Sequence, residues 1–336
     1  MIRIAVDAMG GDYAPKITVE GAMLAVKKFD DITITLYGDE NKIKPFLTDS
    51  TRINVVHTAD FIDMGEKDPI KQIRNNRKSS LCLTFKALKE EEADCAVTSG
   101  PTQAVVVGAH LIVKRLENMS RVGLCPILPS VDGKSKLLLD VGANVELRSE
   151  HILELAIYAS VAAKEYLKIE NPVVGLLNIG TEPGKGRQLD KETFDLLSNN
   201  EHINFYGNVE PKEILTNECD VLVTDGFTGN MVLKTLEGTA KGTGLILAQE
   251  IKKTFFGKIG YLFMKKNLKN YKKRLSADEV GGAMICGIQK PVVKAHGSSD
   301  AYAFSNAIKQ VRELVLADVV NKVASKLPKE NVENEQ

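Results

Sequence analysis

No charge of either sign dominates this 336-residue chain, in which 44 Lys plus Arg stand against 44 Asp plus Glu. That balance excludes the broad basic footprint of a nucleic-acid-binding protein and the acidic excess of a disordered one, so any electrostatic docking has to be local. Cysteine is sparse: Cys82, Cys95, Cys125, Cys219 and Cys286 include no Cys-x-x-Cys pair, which argues for reduced thiols rather than a disulfide frame. No apolar run approaches the ~20 residues of a membrane-spanning helix. No repeat of fixed period is present, and the first residues enter a strand pattern with no apolar signal segment, so a cytoplasmic chain is expected. Nucleotide fingerprints are missing too. No Gly-x-Gly-x-x-Gly follows any strand pattern, and Gly180 to Lys185 fails as a Walker loop, with three residues between its glycines and Gly186 where Ser or Thr should hold Mg²⁺. His57, His110, His151 and His202 stand alone without metal-ligand spacing, and no metal or cofactor is expected.

What is present is one design used repeatedly, an apolar strand that ends on a polar, glycine-containing turn and continues into a helical pattern. Its fullest instance is Val221-Leu222-Val223, then Asp225-Gly-Phe-Thr-Gly-Asn230, then a helix with Val232, Leu236, Leu247 and Ile251 on one stripe. Such a turn aims amides, the Thr228 hydroxyl and the Asn230 amide at the carboxyl end of a strand, where open α/β sheets hold ligands. The alternative is a tight connection whose two glycines supply φ > 0.

The same pattern opens the chain. Ile2 to Val6 runs into Asp7, Gly10 and Gly11, whose amides could meet an anion, and a helix follows to about Phe29. It returns at Asp94 to Thr98, before Gly100, Pro101 and Thr102 and a helix to about Leu116, and at Leu137 to Val141, before Asn144. Val173 to Ile179 leads to a glycine loop carrying Lys185 and Arg187, with Lys185 either a solvated loop cation or a ligand-binding one. Val292 to Ala295 leads to His296-Gly-Ser-Ser299 and a helix to about Leu327. A helical region from Asp68 to Glu92 places Lys71, Arg74 and Lys78 on one face, as a solvated surface or as a docking patch for an acidic partner.

One segment breaks the overall neutrality. From Lys252 to Arg274 there are nine cations and no acid, alternating with Phe255, Phe256, Leu262, Phe263 and other apolar residues. Two helices meeting at an apolar tip near Gly257 and Gly260 are expected, either lying on an anionic membrane surface or packing at a subunit interface.

Together these motifs resemble the bacterial phosphate acyltransferases of the PlsX type. The resemblance runs over nearly the whole chain, through Val6-Asp-Ala-Met-Gly-Gly-Asp12, Leu139-Asp-Val-Gly-Ala-Asn144, Leu177-Asn-Ile-Gly180, Asp225-Gly-Phe-Thr-Gly-Asn230 and His296-Gly-Ser-Ser299. It implies an α/β fold of three α/β/α layers, Rossmann-like and related to the isocitrate and isopropylmalate dehydrogenases. Residues 1–328 would form one catalytic unit, with 251–277 protruding and 329–336 a frayed tail. It further implies conversion of acyl-acyl carrier protein and inorganic phosphate to acyl phosphate, an early step of phospholipid synthesis. The partners implied are a homodimer mate and a membrane glycerol-3-phosphate acyltransferase that consumes the product, with the enzyme at the inner face of the membrane.

Lys185 and Asn230 are the expected catalytic residues. Asp7, Gly10, Gly11, Gly100, Thr102, Asn144, Asp225, Thr228 and His296 are expected to shape the substrate site. Where the family usually reads Ser-Ala-Gly-Asn-Thr-Gly-Ala, this chain reads Thr98-Ser-Gly-Pro-Thr-Gln-Ala104, which marks Pro101 and Gln103 as departures. A phosphotransacetylase-like enzyme using a coenzyme A thioester, and a scaffold without turnover that binds carrier protein and membrane, are the alternatives.

Overall fold

The computed structural model describes residues 1–275 and 281–327, with backbone alone at residues 269 and 272–275. The expected tail, 329–336, the end of the protruding segment, 276–277, and the side chains of Lys269, Lys272, Lys273 and Arg274 lie outside the described residues.

The strands in chain order are β1 (Ile2–Asp7), β2 (Ile32–Gly38), β3 (Ile53–His57), β4 (Cys95–Thr98), β5 (Gly123–Cys125), β6 (Ile127–Pro129), β7 (Ser135–Leu139), β8 (Val173–Leu177), β9 (Asn204–Val209), β10 (Val221–Val223), β11 (Gly282–Cys286) and β12 (Val292–Ala295). They form a seven-stranded sheet, β3-β2-β1-β4-β12-β11-β5, and a five-stranded sheet, β6-β7-β10-β8-β9. In the first, β3, β2, β1, β4 and β12 run parallel and β11 is antiparallel to both its neighbours. In the second, β7, β10, β8 and β9 run parallel, with β6 antiparallel at the edge.

Successive strand residues enter opposite cores, as strand alternation requires. Ile4, Val6, Leu137, Leu139, Val221 and Val223 pack with the helices Lys16–Lys28, Ser149–Glu165 and Ala301–Leu316. Ala5, Leu138 and Leu222 face the other core, with Leu81, Phe85 and Val105 from the helices Ser80–Lys89 and Thr102–Gly108. Strands buried on both faces read as continuous apolar runs, so the α/β class and the layered arrangement expected from the sequence are what is found.

Several helical expectations are corrected. The region from Asp68 to Glu92 is two helices, Pro69–Asn75 and Ser80–Lys89, with Lys78 in the turn between them. Lys71 and Arg74 share a helix, but Lys78 does not continue its face. The helix expected to reach Leu116 changes at Ala109 to a π-turn, Ala109–Val113, and stops at Lys114, which has φ of 75°. The last helix is broken at Asp318, in the left-handed region, into Ala301–Leu316 and Val319–Ala324. The strands β5, β6 and β11 are additions to the pattern read from the sequence; β5 and β6 are three-residue edge strands, too short to carry a period of their own, and β11 is a five-residue strand inside the large sheet.

The stretch after β10 is not a separate turn. The helix starts at Gly226 and runs to Lys253, so Gly226 to Asn230 are its first turn. Neither Gly226 nor Gly229 has positive φ. They are glycines for proximity: a Cβ at Gly226 would overlap the carbonyl oxygen of Asn144, and one at Gly229 that of Asp140. Beyond Gly229 no residue of this helix is fully buried, and it pairs with a second helix, Phe255–Leu275, across an extended Thr254. The bend therefore lies at Thr254 rather than at Gly257 and Gly260. Phe255, Phe256, Leu262 and Phe263 are 73%, 83%, 71% and 84% exposed.

Candidate functional site

The parallel strands deliver their motifs to one edge of the sheets. A cleft of about 380 Å³ opens there, lined on one side by Thr102, Gln103, Lys294, His296 and Ser299 and on the other by Gly142, Asn230, Leu233, Lys234 and Glu237. Its floor comes from Leu124, Pro126 and Ile127, where the chain passes from the edge of the large sheet to the edge of the small one. A larger hollow of about 660 Å³ surrounds Lys136 and Cys219. That hollow sits at the opposite, amino ends of β7 and β10 and receives none of the turn motifs, so size does not identify the site here.

Asn230 is exposed on the first turns of the helix Gly226–Lys253. Beside it, Gly142 takes φ of 121°, and a methyl there would stand 3.5 Å from the Asn230 amide. Asp140 holds this corner together. Its buried carboxylate accepts the amides of Leu124 at 3.0 Å, Ala143 at 3.1 Å and Asn144 at 2.8 Å. Burial pushes its carboxyl up, against the pull of these hydrogen bonds. Asn144 donates from Nδ2 to the Val122 carbonyl at 2.7 Å and to Asp140 at 3.0 Å.

Asp225 caps the helix, accepting from the Thr228 amide at 2.8 Å and the Thr228 hydroxyl at 2.9 Å. Arg187 donates to both Asp225 and Asp190. Burial works to raise the Asp225 carboxyl, but the Thr228 and Arg187 donors outweigh it and the net displacement is downward. Asn144, Asp225 and Thr228 thus commit their hydrogen bonds to building the corner that presents Asn230.

The turn after β1 is built in a similar way. Asp7 is buried, with its oxygens taken by Ser80 Oγ at 2.6 Å and Thr98 Oγ1 at 2.8 Å, and the amide of Met9 turns back to it at 3.3 Å. A Cβ at Gly10 would come within 2.7 Å of the Gly100 nitrogen, so Gly10 and Gly100 let the β1 and β4 turns touch. Gly11 faces a separate depression shared with Asp12, Lys42 and Asp63. Of the expected substrate residues, Thr102 and His296 reach the cleft with Asn230, and the others lie beneath or beside it. His296 Nδ1 stands 2.8 Å from the Ser298 hydroxyl and 3.3 Å from the Ser298 amide, which donates to it.

Lys185 is not part of the cleft lining. Its ammonium is exposed, 3.9 Å from Glu182, on the loop after β8. Asn178 fixes that loop by donating to the Lys185 carbonyl at 3.1 Å. The cations that do line the cleft are Lys234 and, on β12, Lys294, which is absent from the site residues expected on sequence grounds. A signal for it exists, a single lysine inside a Val-Val-Lys-Ala strand. Burial, with Lys234 nearby, pushes its ammonium down to about 8. Gln103 also lines the cleft, whereas Pro101 sits outside it as the cap of the helix Thr102–Gly108. All five cysteines are buried as free thiols and none lines the cleft; burial raises Cys219 to about 12.

An α/β protein with a cleft at strand carboxyl ends, furnished with an amide and cations, shares its fold with phosphotransacylases of known structure. The fold matches a phosphotransacetylase from Streptococcus pyogenes with TM-score 0.62 at 16% identity, over 95% of this chain and 94% of that one. It also matches a branched-chain phosphotransacylase from Enterococcus faecalis V583 with TM-score 0.58 at 15% identity, over 94% and 100%. The sequence is more specific. The family described as "Fatty acid synthesis protein" matches residues 2–322. The chain is 51% identical to a phosphate acyltransferase of Acholeplasma laidlawii (97% of this chain, 98% of that protein) and 43% identical to one of Listeria innocua (98% of each). The chain belongs to this family of phosphate acyltransferases, the PlsX type.

Proposed function

We propose that the protein transfers the acyl group of acyl-acyl carrier protein to inorganic phosphate, giving acyl phosphate for phospholipid synthesis. What supports this is the pairing, in one cleft, of the Asn230 amide with cationic side chains and apolar walls, with no cysteine facing it. Phosphate supplies the nucleophile. Its oxygen bonds to the thioester carbonyl carbon, the carbon–sulfur bond breaks, and the proton given up by hydrogen phosphate ends on the departing thiol. A thiol of pKa ~8.5 leaves readily, so the protein's work is to position two reactants and to stabilise an oxyanion. Positioning supplies roughly 7 to 11 kcal/mol in favourable cases and one oxyanion donor about 3 to 4. Asn230 polarises the carbonyl, and Lys185, on the loop tied to the Asn230 helix, screens the incoming phosphate.

The carrier protein docks on the exposed cations Lys71, Arg74 and Lys78, which favours an acidic protein carrier over coenzyme A. The exposed helical tip bearing Phe255, Phe256, Leu262 and Phe263 rests on an anionic membrane surface, where an amphipathic acyl phosphate is handed on. Among the described residues no helix is long and apolar enough to cross a membrane, so the contact is interfacial. The deciding experiment supplies purified protein with acyl-acyl carrier protein and phosphate and traps acyl phosphate as its hydroxamate. Phosphate-dependent product is expected, formed faster than from the matching coenzyme A thioester. Thioester consumption that does not depend on phosphate overturns the reading.

A further inference from the structure

Lys294 sits where a parallel strand normally buries an apolar side chain. On β12 it pairs with Thr98 of β4 and with Ala283 of β11, and strand alternation puts it on the face of Val292, which enters the apolar core. Its side chain instead runs into the cleft. There Nζ donates to the carbonyl of Ala295 at 3.2 Å, and among the described residues it forms no ion pair with a carboxylate. The other charged groups around it are accounted for. Lys234 is held by Glu237 at 2.7 Å on the facing helix, His296 accepts from Ser298, and Asp12 acts on Lys294 only as a nearby charge.

An ammonium with one carbonyl partner has two donors left, and they belong to a cleft that Gln103, Ser299 and Lys294 furnish with polar groups from one wall, while Leu124 and Ile127 of the floor and Leu233 of the facing wall are apolar. A small multivalent anion fits beside the polar groups and an acyl thioester against the apolar ones. Building on the proposed acyl transfer to phosphate, we infer that Lys294 is the seat of inorganic phosphate, holding it opposite the thioester carbonyl that Asn230 polarises. Burial that disfavours the free ammonium is relieved when a dianion arrives, so phosphate binding and the charge on Lys294 reinforce each other.

The test measures phosphate binding by ³¹P NMR titration alongside steady-state rates, in wild type, Lys294→Met and Lys294→Arg. Lys294→Met should weaken phosphate binding and raise KM for phosphate at least tenfold while changing KM for the acyl thioester less than threefold. Its Tm should hold or rise, since a partly buried ammonium with no carboxylate partner has been removed. In wild type the affinity for phosphate should fall as pH rises through about 8, and Lys294→Arg should bind without that fall. Phosphate binding in Lys294→Met equal to wild type overturns the inference, as does loss of binding in Lys185→Ala alone, or a wild type that does not bind phosphate. If wild type binds phosphate through Lys294 but turns over no thioester, the acyl-transfer reading falls and the phosphate seat stands.

Discussion

Arg187 donates to the carboxylate of Asp225, and this one ion pair ties the loop that carries Lys185 to the first turn of the helix that carries Asn230. The two residues expected to act on the thioester and the phosphate come from β8 and β10, neighbours in the smaller sheet.

Asp225→Asn should therefore destabilise the fold by ~1–2 kcal/mol at neutral pH, because a helix cap and a charge-assisted bond are both weakened, with solvent around the half-exposed Arg187 keeping the figure modest. The effect has a direction in pH. The Asp225 carboxyl is displaced downward in the folded state, so its contribution is fully present above its unfolded value near ~3.9 and is lost as pH falls through the lower folded value. Denaturant midpoints of wild type and variant should converge as pH is lowered past that window. A gap that stays constant in acid would contradict the assignment.

Asn230→Ala and Lys185→Ala should each lower acyl phosphate formation at least tenfold with Tm within a degree or two of wild type, since both side chains are exposed and neither supports the core. Near-normal rates in both would remove these residues from the site.

The long helix carries two kinds of glycine that calorimetry can separate. Ala at Gly226 or Gly229 collides with the backbone of Asn144 or Asp140, and a cost of about 3 kcal/mol or more is expected, at the upper end for overpacking. A methyl group at Gly238 or Gly242 would meet nothing within 4 Å, so Ala there should stabilise by ~0.5–1 kcal/mol each through helix propensity. Equal effects at both pairs would refute the close-approach explanation.

Gln103 and Pro101 should behave differently. Gln103→Gly changes the wall of the cleft and is expected to shift KM for phosphate by more than threefold. Pro101→Asn alters only the start of a helix and should leave KM within twofold. Steady-state kinetics with phosphate varied distinguishes them.

Vesicle sedimentation addresses the exposed tip. Wild type should pellet with anionic liposomes and be released by high salt, as about 1 kcal/mol per cation and roughly 3 to 6 for two buried apolar side chains would give. Leu262→Glu with Phe263→Glu should stay in the supernatant and remain active. Dissociation of that variant into smaller species would assign these side chains to a subunit interface instead.

The sequence alone determined the class of fold, the order of the strand-turn-helix units, and the exposed basic and apolar hairpin. These depend on local quantities: apolar period, turn chemistry and charge counted along the chain. Only the tertiary structure decided which turn residues face a ligand. Asn144, Asp225 and Thr228 look as chemically able as Asn230, yet their polar atoms are committed to Asp140, Val122 and one another, because hydrogen-bond partners come from segments distant in sequence. The glycines at 226 and 229 show the same division, since backbone from β7's turn, not their own φ, requires them. Lys294 is the reverse case, a residue the turn motifs did not single out, which the packing of β12 beside the cleft makes one of its two lining cations.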